Sequence, residues 1–395
     1  MLRTLVHAPT LCCLSGPSPS NSASSNLSRP PMATSARIAV IGDIHNDWNL
    51  QEDTKALQFL QVSHITSLFL IHPIVLCSLP RLIYARSGAV YRQVLFFLTV
   101  HLPSLCAFSL FWPSIYGDFG EENVELVQSA ASLEFAKAAI LGNHDAWYTQ
   151  QFSGKRKDGV QLQLECLGEE HVAYQHLDFP LIKVSIVGGR PFSCGGVQLF
   201  RKKLLSARYG VQDMDGSARR IYNAALGTPE DHFVILLAHN GPTGLGSNLN
   251  DICGKDWVFG GGDHGDPDLE QAISLLKETG KSCVPLVVFG HMHKELAYRK
   301  GLRKMIVVGD DNTIYLNGAI VPRVKRLNNE QGTGNRSFMN DETPVLTPES
   351  EGTMRAFTLV EILDGRVEKI TESWVSVVGD NTTLAEEQLL FKRGS

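Results

Sequence analysis

Short polar clusters close a series of apolar runs in this chain: GDIH at 42–45, GDFG at 117–120, GNHD at 142–145, AHN at 238–240 and GHMH at 290–293. Carboxylate, imidazole and carboxamide groups are the donors that hard and borderline metal ions take, and an α/β sheet presents ligands where its strands stop. Asp43 and His45 stand two apart, as do His291 and His293, so each pair projects to one side of a short loop or strand end. Together, Asp43, His45, Asp118, Asn143, His239, His291 and His293 suffice for two metal ions that share a bridging carboxylate.

The elements that must carry these residues are legible as brief apolar strands. Ile38–Ile41 leads into Gly42-Asp43, Ala138–Leu141 into GNHD, Ile182–Val187 into Gly188-Gly189-Arg190, Phe233–Ala238 into His239 and Pro285–Phe289 into GHMH. Continuous apolar runs of this length suit buried parallel strands. Helices are expected over Asn49–Gln61, with Asp47 as cap, over Glu122–Lys137 and over Asp268–Thr279, whose start carries Asp266 and Pro267. Ile314–Leu316 reads as a late strand, and Phe357–Leu363 with Val367–Val375 as a hairpin turned at Asp364-Gly365.

The ordered set GD-x-H, GD, GNH followed by an acidic residue, a lone His and GH-x-H resembles the calcineurin-like metallophosphoesterases, over residues 38 to about 320. More narrowly, HNGPTGLG at 239–246 and GGGDHGDPDLEQAI at 260–273 resemble a cyanobacterial and plant branch of that family. The resemblance implies an α/β fold, a four-layer α/β/β/α sandwich with two mixed sheets. It also implies a dinuclear metal-dependent hydrolase of phosphomonoesters or phosphodiesters, in which a hydroxide bridging the metals attacks phosphorus. By motif, Asp43, His45, Asp118 and His293 would hold one metal, and Asp118, Asn143, His239 and His291 the other, with Asp118 shared. Mn, Fe and Zn all suit such mixed oxygen and nitrogen ligation. His144 would protonate the leaving oxygen or stabilise the transition state, with Asp145 as its orienting partner.

Other residues admit two readings. Arg190 could meet substrate phosphate through its planar fork, or be an ion-paired loop arginine. His264, within Asp263-His264-Gly265-Asp266, could reach the cleft, or the cluster could be a polar loop capping the next helix. The glycines of GPTGLG could approach an anion, although the run is no Walker motif.

The chain has 395 residues, 43% of them hydrophobic, and a formal net charge of −5, which is enough for one large domain and argues against a duplex nucleic acid partner. The expected partner is a phosphorylated small molecule or a phosphoprotein. The eight cysteines show no CxxC spacing and read as free thiols. Residues 1–36 carry arginine, serine and proline and no acidic residue before Asp43, a composition suited to a transit peptide and, with the plant-like resemblance, to a chloroplast address. The alternative is a disordered tail, with translation from Met32 and a cytoplasmic location. The metallophosphoesterase domain is expected over 37–326, a flexible loop over 327–353, and a β hairpin and tail completing the domain over 354–395.

Residues 62–116 stand apart, with no Asp, Glu or Lys and many Leu, Phe, Ile, Ser and Pro. A membrane hairpin is opposed by the interior prolines and histidines, and a genuine insertion is a second reading. The preferred reading is translated intron or a gene-model error, since the block adjoins GDFG and Pro113 breaks the strand expected there. On that reading the strand aiming Asp118 is displaced, and a catalytically impaired isoform or a binding-only protein competes with the enzyme.

Overall fold

The structure, a computed structural model, describes residues 35–62, 109–280, 284–297, 301–327 and 352–394. Its first strand, β1 (Ser35–Gly42), is buried from Ala36 onward, as an apolar strand covered on both faces must be. The charge of Arg37 is absorbed by the Leu60 carbonyl at 2.9 Å and by Glu361 at 3.3 Å. β1 pairs in parallel with β2 (Ser109–Tyr116), which pairs in parallel with β3 (Ala138–Ile140). On its other edge β1 meets an antiparallel meander of β11 (Gly352–Leu363), β12 (Arg366–Val378) and β13 (Asn381–Lys392), and β10 (Val324–Leu327) joins β11 beyond the end of β1. These strands form a seven-stranded mixed sheet.

The second sheet is six-stranded, in the order β4-β5-β6-β7-β9-β8. Its parallel centre is β5 (Val184–Gly188), β6 (Phe233–Leu237), β7 (Leu286–Phe289) and β9 (Ile314–Asn317). The edges β4 (His176–Phe179) and β8 (Ile306–Val308) run antiparallel. Buried residues of both sheets, such as Val40, Ile140, Leu236 and Val288, share one continuous core. Helix α1 (Leu50–Val62) lies against β12, β13 and β2 of the first sheet. Helices α2 (Val124–Ala131) and α3 (Gly159–Leu167) pack on each other, α4 (Lys202–Tyr209) follows β5, and α5 (Met214–Leu226) packs on β5 with α6 (Pro267–Thr279) beside it. This is the expected α/β sandwich of two mixed sheets.

Several expectations need correction. The strand before Asp118 is in place: β2 runs in register with β1 through Ala39↔Pro113 to Gly42↔Tyr116. β3 pairs only from Ser114, so the prolyl nitrogen of residue 113, which lacks a proton, interrupts no bond to that neighbour. The remainder of the anomalous block, 63–108, lies outside the described residues, as do 1–34 of the transit-peptide reading and 328–351 of the loop. Residues 35 and 36 belong to β1, Leu327 to β10, and Gly352 and Thr353 to β11. The tail is itself the strand β13. Asn49, not Asp47, caps α1: its side chain accepts from Glu52 N at 3.1 Å, and Asp53 returns a bond to Asn49 N at 2.9 Å. α2 is shorter than Glu122–Lys137, with Asn123 as cap. Among the described residues no helix is long and apolar enough to cross a membrane.

Candidate metal centre

Each cluster singled out above follows the carboxyl end of a parallel strand: Asp43 after β1, Asp118 after β2, Asn143 after β3, His239 after β6 and His291 after β7. This is the crevice where open α/β sheets place their ligands. Asp43, His45, Asp118 and His291 all hold positive φ, at 45°, 42°, 47° and 67°. Non-glycine residues visit this region rarely, and strain of this kind concentrates at functional sites.

The side chains converge in two groups. In the first, His45 Nε2 and His293 Nε2 are 2.9 Å apart, with Asp43 Oδ2 at 3.6 Å from the latter. In the second, His239 Nε2 lies 2.8 Å from Asn143 Oδ1, 3.2 Å from His291 Nδ1 and 3.7 Å from Asp118 Oδ2. Both triads, Asp43–His45–His293 and Asp118–His239–His291, are compact enough to hold an ion. Asp118 sits geometrically with the second, yet its charge reaches Asp43, whose carboxyl it helps to raise.

The glycines of the motifs make this convergence possible. A Cβ on Gly117 would run into the His239 ring, and one on Gly142 into both that ring and the Asp118 carboxylate. Gly117 also takes φ +39°, which a side chain would oppose.

Electrostatics fit a cation. Both carboxylate oxygens of Asp43 are buried without a hydrogen-bond partner. Burial pushes the Asp118 carboxyl up to about 7 and that of Asp43 well above the usual range, the latter with help from Asp118. Burial also depresses the imidazoles, His45 and His293 to about 4, His291 to about 3 and His239 well below its ordinary value. Neutral imidazoles beside carboxyls that lack compensating charge are the state a metal ion uses and stabilises.

His144 projects over this cluster, its Nε2 4.0 Å from Asp118 Oδ2, while its backbone N donates to Asp118 Oδ1 at 2.8 Å. Asp145 does not orient it. The Asp145 carboxylate turns inward and accepts from Gly142 N at 2.7 Å and Phe119 N at 3.0 Å, tying two ligand loops together. The His144 ring instead stacks on Trp147.

Of the two residues offered for substrate, the structure brings His264 to the cleft and removes Arg190. His264 stacks near His291 with centroids 5.8 Å apart, and lines a cleft of about 440 Å³ with Asp118, Asn143, His144, His291 and His293. Arg190 is buried, ion-paired to Asp266 at 2.8 Å and Asp268 at 2.9 Å. The Asp266 carboxylate therefore makes no cap bond to α6 and serves Arg190, Ser193 and Asn240.

Sequence reasoning missed several supports. Buried Arg303 donates from Nε to the His293 carbonyl at 2.9 Å and from Nη1 to the Gly254 carbonyl at 2.6 Å. Buried His171 accepts from Leu141 N at 3.3 Å, just before GNHD. Arg323 and Arg355 both donate to the Asp47 carbonyl, bracing the loop that carries Asp43 and His45. Only Trp147, one helical turn after His144, had a spacing signal.

Fold and site together define an α/β sandwich of two mixed sheets that gathers metal-ligating side chains at its strand ends. Residues 114–295 match the sequence profile of the calcineurin-like phosphoesterases, a segment that holds Asp118, Asn143, His239, His291 and His293 and leaves Asp43 and His45 upstream. No curated protein matches the chain. Among solved structures, one described as GAP50, the anchor in the inner membrane complex of Plasmodium, is similar at 11% identity and a TM-score of 0.35, over 91% of this chain and 90% of that one. A likeness of that size carries no argument about function.

Proposed function

We propose that the protein is a dinuclear metal-dependent phosphoesterase acting on a phosphomonoester or phosphodiester. The observation that carries this reading is the pair of adjacent ligand triads, with the Asp43 carboxylate fully buried in one of them. Asp43, His45 and His293 would hold one ion, Asn143, His239 and His291 the other, and Asp118 would serve both. When bound, such ions supply positive charge for the phosphoryl oxygens and make the attacking water more acidic.

The chain's own groups do the rest. His144 is half-buried, and burial lowers its pKa while Glu121 raises it. An anionic phosphate arriving beside it favours the protonated ring, which then delivers the proton at Nε2 to the leaving oxygen. Trp147 holds the ring plane, and Asp145 holds the loops that set the distance. In line with the sequence resemblance, we place the chain in the cyanobacterial and plant branch, with Mn, Fe or Zn as the metal and a phosphorylated metabolite or phosphoprotein as substrate.

The test is hydrolysis of p-nitrophenyl phosphate and its bis ester by the full chain with Mn²⁺, beside His291→Ala. Turnover by the wild type and loss of both metal and turnover in the variant are expected. A metal-loaded wild type inert toward both esters contradicts the reading.

A further inference from the structure

Residues 254–263 form a small hairpin at the mouth of the cleft. Its base is the antiparallel bridge Gly254↔Asp263, followed by Lys255 N donating to the Gly262 carbonyl at 2.8 Å. Its tip closes where Gly261 N donates to the Val258 carbonyl at 3.0 Å, with Gly260 and Gly261 at φ 87° and 77°, where glycine alone is unstrained. The backbone thus holds Trp257, Val258 and Phe259 outward: the first two are 49% and 45% exposed and Phe259 is fully exposed. An apolar tip presented by a hydrogen-bonded hairpin, unlike a singly exposed apolar residue, marks a contact surface.

The tip is continuous with the metal centre. Trp257 lines the cleft and meets His264 edge-on at 4.8 Å, and His264 stacks near His291. On its far side a second hollow, of about 540 Å³, is lined by Leu249, Gly260, Leu296 and Leu302, with Leu249 and Leu302 exposed. Among the described residues lining the cleft the only Lys or Arg is Arg303, whose guanidinium is committed to Asp256 and to backbone carbonyls. Those walls offer an organic group apolar contact, from Trp147 and Trp257.

We propose that the substrate is a phosphate ester with an apolar organic portion, alkyl or aryl, whose phosphate lies at the metal centre and whose apolar portion runs over Trp257 onto Val258, Phe259 and the Leu249–Leu302 hollow. The proposal rests on the phosphoesterase reading. It commits the tip to the substrate itself and not to a lipid bilayer, because the aromatic surface leads inward to the metal ligands.

The experiment uses the full Mn²⁺-loaded chain. Affinities for methyl-, butyl- and octylphosphonate are measured by calorimetry, and kcat/KM is measured for the matching alkyl phosphates by phosphate release. With each methylene half-buried, both should improve by about twofold per methylene. Phe259→Ser should at least halve that slope, whereas Leu181→Ser, an exposed leucine far along the chain on the β4–β5 turn, should keep it. Slopes are ratios within one variant, so a general loss of activity cancels. A flat wild-type slope, or an unchanged one in Phe259→Ser, overturns the apolar subsite. If p-nitrophenyl phosphate is still hydrolysed in that case, the phosphoesterase reading stands. A slope in phosphonate affinity with no hydrolysis of these esters, of p-nitrophenyl phosphate or of its bis ester rejects the phosphoesterase reading and overturns the proposal with it. Sedimentation of wild type, but not Phe259→Ser, with phosphatidylcholine vesicles together with a flat slope assigns the tip to a bilayer and overturns the proposal.

Discussion

The imidazole of His144 lies parallel to the indole of Trp147, with centroids 4.8 Å apart and planes 7° from parallel. The carboxylate expected to orient His144 belongs to Asp145, which is wholly engaged with the backbone of Gly142 and Phe119. An aromatic face therefore does the orienting, with Nε2 turned toward Asp118 Oδ2 4.0 Å away.

Trp147→Ala should lower kcat by about three- to tenfold, the value of one aromatic pair. His144→Gln should lower it by about 10²–10⁴, as loss of a general acid does. Both variants should retain full metal content, because neither residue is among the ligands. Metal analysis beside kinetics checks this, and depletion in Trp147→Ala would show that its role is structural.

Gly142→Ala and Gly117→Ala should each empty the site in a folded protein. The new methyl group meets His239 in both variants and also Asp118 at position 142. Overpacking of this kind costs about 1–3 kcal/mol of stability, so circular dichroism should report a native fold while metal content falls. Wild-type loading in either variant would contradict the geometry.

Metal affinity should rise with pH up to about 7. In the metal-free protein burial holds Asp118 at about 7 and Asp43 well above the usual carboxylate range, so a proton occupies the place a cation must take. His45 and His293, at about 4, are already neutral above pH 5 and release nothing. A raised carboxyl stabilises the metal-free fold fully below its ordinary pKa and loses that contribution as pH climbs through about 7. Added Mn²⁺ should therefore raise the melting temperature more at pH 7.5 than at pH 5.5, as calorimetry can read. Equal increments would argue against the shifted carboxyls.

Arg355→Met should destabilise the protein by about 3–5 kcal/mol, since it strips a buried Asp53 of one of its partners. Below its melting transition, the variant should lose affinity for one metal more than for the other, because Arg355 also braces the Asp47 carbonyl beside Asp43 and His45. Denaturant titration and stepwise metal titration read the two effects separately. Equal weakening of both metals would refute the bracing role.

Most of the candidate ligand loops were legible because they follow short apolar strands, a local pattern; Asp118 was the exception, since Pro113 disguises the strand β2 before it. Where long-range packing decides, local signals failed. α5 buries Ser217, Ala218, Ile221 and Ala225, a stripe of small residues too weakly apolar to announce a helix. β13 is a largely exposed edge strand whose polar sequence shows no buried face. Arg190, after two glycines, admits a phosphate contact or an ion pair in sequence, and the structure holds the second, because its partners Asp266 and Asp268 lie far along the chain. Arg303 touches His293 only through a backbone carbonyl, a contact no spacing encodes.

The most direct test of the central claim is anomalous diffraction from crystals of the Mn²⁺-loaded protein. Two peaks per chain are expected, one contacted by Asp43, His45 and His293 and one by Asn143, His239 and His291, with Asp118 reaching both. A single peak, or none among these residues, would contradict the dinuclear centre.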